Sequence, residues 1–217
     1  EDSNLFALNR FSGYDRWEGG TRLTYGVDWR WQRPGLLVTG QLGQSYRFSD
    51  RTGIFPDGTG LSEKLSDIVG RASVRLGGVV EVTQRLRLDK DSLAIRRAET
   101  DVAVGTARTF VSVGYLKFNR DIDLEDLTDH EEVRAGMRIA FAKYWAVFGS
   151  AVVDLTSRAE DPLTANDGFQ PIRHRLGVSY SDECFDFSVT WRRNYVDNPN
   201  ARLGNTFYFT ISLKNLG

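Results

Sequence analysis

"RLTYGVDWRW", residues 22 to 31, decides the fold. Leu23, Tyr25, Val27, Trp29 and Trp31 alternate with Thr24, Gly26, Asp28 and Arg30, so apolar side chains return at every second position. On a helix, whose faces repeat every three to four residues, this spacing would scatter the two tryptophans around the axis. On a strand it places all the apolar groups on one face and the polar groups on the other.

The same period runs through the chain. Phe185, Phe187, Val189 and Trp191 alternate with Asp186, Ser188, Thr190 and Arg192, and the pattern returns at Val133, Ala135, Met137, Ile139 and Phe141 and at Phe207, Phe209, Ile211 and Leu213. It predicts about eleven strands, at 20–32, 36–48, 66–76, 79–88, 93–104, 108–119, 132–141, 145–156, 172–180, 184–194 and 204–214. These are long, since strands of soluble domains run to about five or six residues.

The connections alternate as well. Those at 33–35, 77–78, 105–107, 142–144 and 181–183 are tight, whereas 49–65, 121–131, 157–171 and 195–203 are long and polar, with 89–92 a short member of the long side. Outer-membrane barrels have this asymmetry, with short periplasmic turns and longer outer loops. A soluble β-sandwich also alternates, because it buries one face and wets the other. Strand length and loop asymmetry favour the all-β, antiparallel transmembrane barrel. Bacterial single-chain barrels have an even number of strands, so about eleven reads as an incomplete C-terminal portion of one, with residues 1–217 forming a single barrel segment.

Composition narrows the function classes. With 28 basic against 29 acidic residues, the chain has no net field to attract nucleic acid. Mean hydropathy is −0.37, and no apolar run approaches the ~18 residues of a membrane-spanning helix. A β-barrel is untouched by that criterion. His130 and His174 are the only histidines, and neither a nucleophile elbow nor a phosphate-cradling glycine loop is present, which argues against an enzyme and gives no catalytic or cofactor residues. The acidic run at 121–132 around His130 would suit a divalent cation, but it lacks the spacing of a calcium loop and reads as a solvated loop. His174 shares its register with Leu176, Val178 and Tyr180, which reads as an outward or interfacial histidine.

One face of the predicted strands carries an arginine set, Arg30, Arg71, Arg75, Arg134, Arg138, Arg173, Arg175 and Arg192, interspersed with carboxylates. In a barrel these are candidates for the lumen. Most are expected to pair with carboxylates, and a few to contact a plug or an anionic ligand, since guanidinium forks bind phosphate bidentately.

Three stretches carry a resemblance. "NLFALNRFSGYDRWEGGTRLTYGV" (4–27), "GVSYSDECFDFSVTWRR" (177–193) and "GNTFYFTISLKNLG" (204–217) resemble the C-terminal half of the LptD family of lipopolysaccharide-assembly proteins, also called organic solvent tolerance proteins. The resemblance implies a large barrel in the outer membrane of a Gram-negative bacterium that inserts lipopolysaccharide into the outer leaflet. It also implies partners: the plug lipoprotein LptE, the periplasmic bridge LptA reached through an N-terminal domain, and the barrel-assembly machinery. A porin-like passive channel is the alternative, with a soluble β-sandwich binding protein behind it.

Particular residues take roles from the resemblance. Family members carry adjacent cysteines at the matching strand start, bonded to the periplasmic domain. Here Cys184 stands alone between Glu183 and Phe185, a candidate for one interdomain disulfide. Arg202, Gly204, Phe207 and Phe209 resemble the signal read by the assembly machinery, although a lipid-facing strand with interfacial aromatics has the same pattern. Arg10, Phe11, Ser12, Gly13, Tyr14, Asp15 and Arg16 are expected to form an ordered, inward-folded loop, with Arg10, Asp15 and Arg16 as an ion-pair cluster and Phe11 and Tyr14 packing it together with Trp17. The alternative for that stretch is a solvated loop whose aromatics anchor at the interface.

Overall fold

The computed structural model describes residues 20–49, 60–119, 129–158, 168–196 and 203–214. The loop at 10–16, Arg202 and the acidic residues 121–128 lie outside them. The described elements are eleven strands in one antiparallel sheet, whose spatial order is their order in the chain. They are β1 (Arg22–Arg33), β2 (Leu36–Arg47), β3 (Ile68–Leu76), β4 (Val80–Leu88), β5 (Ile95–Gly105), β6 (Phe110–Phe118), β7 (His130–Ala140), β8 (Trp145–Asp154), β9 (Gln170–Ser181), β10 (Phe185–Asn194) and β11 (Gly204–Leu213). β1 and β11 stand at the two ends of that order.

Every predicted strand is present, with ends displaced by one or two residues. At β5, expected from 93, the strand begins at Ile95. Leu93 has a φ of 58°, a left-handed conformation outside any strand. Asp89 holds that tight connection by accepting from the backbone N–H groups of Asp91 (3.0 Å) and Ser92 (2.8 Å). Those bonds, with the Ser92 hydroxyl, keep the Asp89 carboxyl well below the usual carboxylate range.

The chain divides into two compact units, residues 1–77, 82–100 and 116–129, and residues 78–81, 101–115 and 130–217. In the first, β1 and β2 pair without interruption from Arg22↔Arg47 to Arg33↔Leu36, around a turn in which Gly35 has a φ of 74°. Partners across a ladder share a face. Val27 and Leu42 therefore stand on one side, and Asp28, Gln41 and Arg71 on the other. The Trp29 indole occupies the space beside Gly40 that a Cβ would fill.

In the second unit β7 to β11 form a continuous ladder with one irregularity, at Val152/Val153 opposite Pro171. Proline has no N–H to give a ladder, which suits it to a bulge.

The distribution of burial is inverted relative to a water-soluble sheet protein. Val69, Ala146 and Val152 are the buried apolar residues among those described, and none of the large side chains is fully buried. Arg47, Ser45, Thr83, Glu99, Thr190 and Asn194, by contrast, are buried. Val27 (65 % exposed), Phe209 (71 %) and Ile211 (69 %) stand open on the opposite face. A sandwich packs two sheets with the apolar faces together. This sheet is single and presents that face uncovered.

Candidate functional site

On the polar face of the first unit, charges are largely matched. Glu99 takes Arg97 (3.0 Å) and Arg85 (3.5 Å), and Arg87 lies 3.4 Å from Asp67. Burial raises the Asp67 pKa above the ordinary value, and the Arg87 charge partly opposes the shift. The Arg97 guanidinium also stacks 4.9 Å from the centre of the Phe118 ring. Arg30 hydrogen-bonds Gln32 at 3.3 Å, and Arg71 stands in register with Gln41. Arg75 is opposite Leu37.

The second unit differs. Its ladders set out polar-face rows that cross four or five strands. One row reads Arg138, Phe148, Gly177, Thr190 and Tyr208. The next reads Gly136, Ser150, Arg175, Arg192 and Thr206, and the third Arg134, Val152, Arg173, Asn194 and Gly204. Arg175 and Arg192 are thus directly opposed across the β9–β10 ladder, a like-charge pairing that destabilises a sheet.

The carboxylates of this unit are engaged elsewhere. Asp101 and Glu132 lie 3.7 and 3.8 Å from Arg134, Glu132 and Asp154 each lie 3.8 Å from His130, and Asp186 is bridged by Lys214 at 2.8 Å. Arg192 bonds the Asn194 amide oxygen at 3.0 Å, and Arg175 stacks over Phe148 at 5.1 Å. Among the described residues, Arg138, Arg173, Arg175 and Arg192 have no carboxylate partner.

Small residues make room around them. Phe148 lies on Gly177, whose missing Cβ would fall 2.4 Å from the ring Cζ. Beside it is an open depression of about 350 Å³, lined by Arg138, Phe148, Arg175, Ser179, Ser188 and Thr210 among others. Asp186 also borders it, held by the Lys214 ammonium.

At the tight-turn end of the same unit, Asp182 organises the β9–β10 turn. Its Oδ1 accepts from the N–H groups of Phe185 and Cys184, both at 2.8 Å, and Oδ2 accepts from the Tyr180 hydroxyl at 2.9 Å. The bonds to Phe185 and Cys184 hold the Asp182 carboxyl below its ordinary range. Lys214 ties β11 to this turn, donating to Ser181 Oγ (2.9 Å) and to the Asp182 carbonyl (2.6 Å). Cys184 is exposed in the turn as a free thiol, and its carbonyl accepts from Lys214 N–H at 2.8 Å.

The remaining candidates are spread out. Gly204 opens β11 with a φ of 133°, and Phe207 and Phe209 stand on the exposed face opposite Trp191 and Val189. His174 occupies the apolar-face register and pairs with the Tyr195 hydroxyl at 3.2 Å. Tyr144, Trp145, Tyr180 and Phe185 gather at the tight-turn rim, with ring centres 5.0 to 5.7 Å apart from Tyr180. Phe148 and Lys214 had no distinctive signal in the sequence. Phe148 is nevertheless a lone aromatic in the polar register of β8, between Ala146 and Ser150, and that parity is the clue to it.

Comparison with known proteins fits this architecture. A curated relative, the LPS-assembly protein LptD of Saccharophagus degradans, is 23 % identical over 234 residues that cover 99 % of this chain. The chain spans about a quarter, 26 %, of that relative's length. The family model for LPS transport system D matches residues 1–145, the part of the chain that holds β1 to β7. The chain therefore belongs to the LPS transport system D (LptD) family.

Proposed function

We propose that the eleven strands are the C-terminal part of a transmembrane barrel in the outer membrane of a Gram-negative bacterium, and that the whole protein inserts lipopolysaccharide into the outer leaflet. The observation that carries this reading is the inverted burial: the buried positions are mostly polar, Arg47, Glu99, Thr190 and Asn194 among them, while the aromatic and aliphatic face is open. Lipid is the solvent such a face requires, and closed barrels satisfy every strand edge within it.

In this reading the arginine-bearing face lines the lumen, where the plug lipoprotein LptE sits. The protein's periplasmic domain receives glycolipid from the LptA bridge. Gly204, Phe207 and Phe209, with Arg202, serve recognition by the barrel-assembly machinery, and the loop at 10–16 folds inward to close the lumen mouth. Cys184, on the tight-turn side, bonds to a cysteine of the periplasmic domain. The role is transport, not catalysis.

Conditional depletion of the full-length protein tests the reading. Newly made lipopolysaccharide should stop reaching the cell surface, as measured by an outer-leaflet lipid A modification. Normal delivery together with reduced uptake of small solutes would instead identify a passive channel. On non-reducing gels of the native protein, thiol label should enter Cys184 only after reduction; label entering without reductant would remove the disulfide.

A further inference from the structure

We propose that Arg138, Arg175 and Arg192, with Arg173 one row further along, form a binding step for the phosphate groups of an anionic saccharide. The inference rests on the glycolipid-transport reading and assigns a place within it.

Charge is the first argument. Four guanidinium groups on β7, β9 and β10 share a face and have no carboxylate partner among the described residues, while nearby Asp101, Glu132, Asp154 and Asp186 are held by Arg134, His130 and Lys214. Arg175 and Arg192 are moreover directly opposed, at the ~4.5–5.5 Å Cα spacing of ladder partners. Repulsion at that spacing is relieved by an anion that both can reach.

Shape is the second argument. The rows containing these arginines also contain Gly136, Ser150 and Gly177, so the floor is low beside them. The adjoining depression, about 350 Å³ in volume, offers the Phe148 ring beside Ser179, Ser188 and Thr210. An aromatic face for a sugar ring, hydroxyls for its hydroxyls and guanidinium forks for its phosphates make up one chemical set. The matched ion pairs of the first unit, around Glu99, offer no comparable set of free donors.

The test uses the full-length protein with its plug lipoprotein in detergent, carrying a photocrosslinking residue at Thr206, which lies in the row of Arg175 and Arg192. The probe is purified lipopolysaccharide, compared with the same material after enzymatic removal of its phosphates and with inorganic pyrophosphate as competitor. Expected is a crosslink to the intact glycolipid that falls about tenfold for each guanidinium removed in Arg175→Gln and Arg192→Gln, the scale of a charge-assisted hydrogen bond. Arg175→Lys should recover part of it, and dephosphorylated probe or excess pyrophosphate should abolish it. Heat-shifted migration of each variant reports that the barrel has formed.

Equal crosslinking of the Gln variants and the parent, or of the dephosphorylated probe, would overturn the proposal. So would a crosslink to the plug lipoprotein that replaces the glycolipid one, because the arginines would then serve a protein surface. Failure of the transport reading itself would show separately, as normal surface delivery after depletion.

Discussion

Val27→Arg separates a lipid-facing surface from a wet one. Val27 is the sixth of twelve residues in β1, is 65 % exposed, and stands opposite Leu42 on the apolar face. At ~3.3 Å per residue and a tilt of ~45°, a strand of this length projects to about 28 Å, close to the ~25 Å apolar band of an outer-membrane barrel. Val27 then lies near the midplane. Arginine there costs about 2–4 kcal/mol, whereas the same change on a wet surface falls within about 0.5 kcal/mol. With tenfold per 1.4 kcal/mol, the assembled-to-unassembled ratio should drop about 30- to 700-fold. The control is Gln41→Arg, one step along β2 from Leu42 but on the polar face, between Asp28 and Arg71. Both variants are made in the full-length protein, and the assembled fraction is read from the heat-shifted band and from denaturant titration in lipid. Equal tolerance of the two would refute the assignment of faces.

Three further outcomes follow from the turn and the ring contacts. Gly177→Ala should destabilise by about 1–3 kcal/mol in denaturant titration, and Phe148→Ala should rescue it only in part, because the new Cβ also meets the Val189 carbonyl at 2.7 Å. Lys214→Met should lose about 0.5–1 kcal/mol and raise amide exchange at the end of β11, since its bonds to Ser181, Asp182 and Asp186 are partly exposed. Asp182 has a native pKa below its ordinary 3.8, so its contribution is complete above about pH 4 and is lost as pH falls through the lower native value. Unfolding midpoints measured from pH 6 to pH 3 should fall more steeply for the parent than for Asp182→Asn.

The strands were legible because a two-sided sheet writes its faces into alternate residues, and β1 and β10 carry that alternation almost without exception. Ends were less legible where backbone conformation decides, as at Leu93, whose positive φ has no sequence marker. The parity of Arg138, Arg175 and Arg192 could be read from their strands. Their adjacency could not, because it depends on the register that brings Arg175 opposite Arg192 and Arg138 into the row of Gly177. The role of Lys214 was not legible for the same reason: its acceptors at Ser181 and Asp182 belong to a turn more than thirty residues away in the chain.

The strand order has a kinetic consequence. Each strand lies beside its neighbours in sequence, so the loops closed in forming the sheet are short and each hairpin adds to the one before it. Growth of this kind needs no distant segment to arrive until the last edge is closed. Throughout it, the newest strand offers a row of unpaired amides and carbonyls on which another strand can be templated. The order in which neighbouring strands become available to pair is thus already contained in the order of the chain.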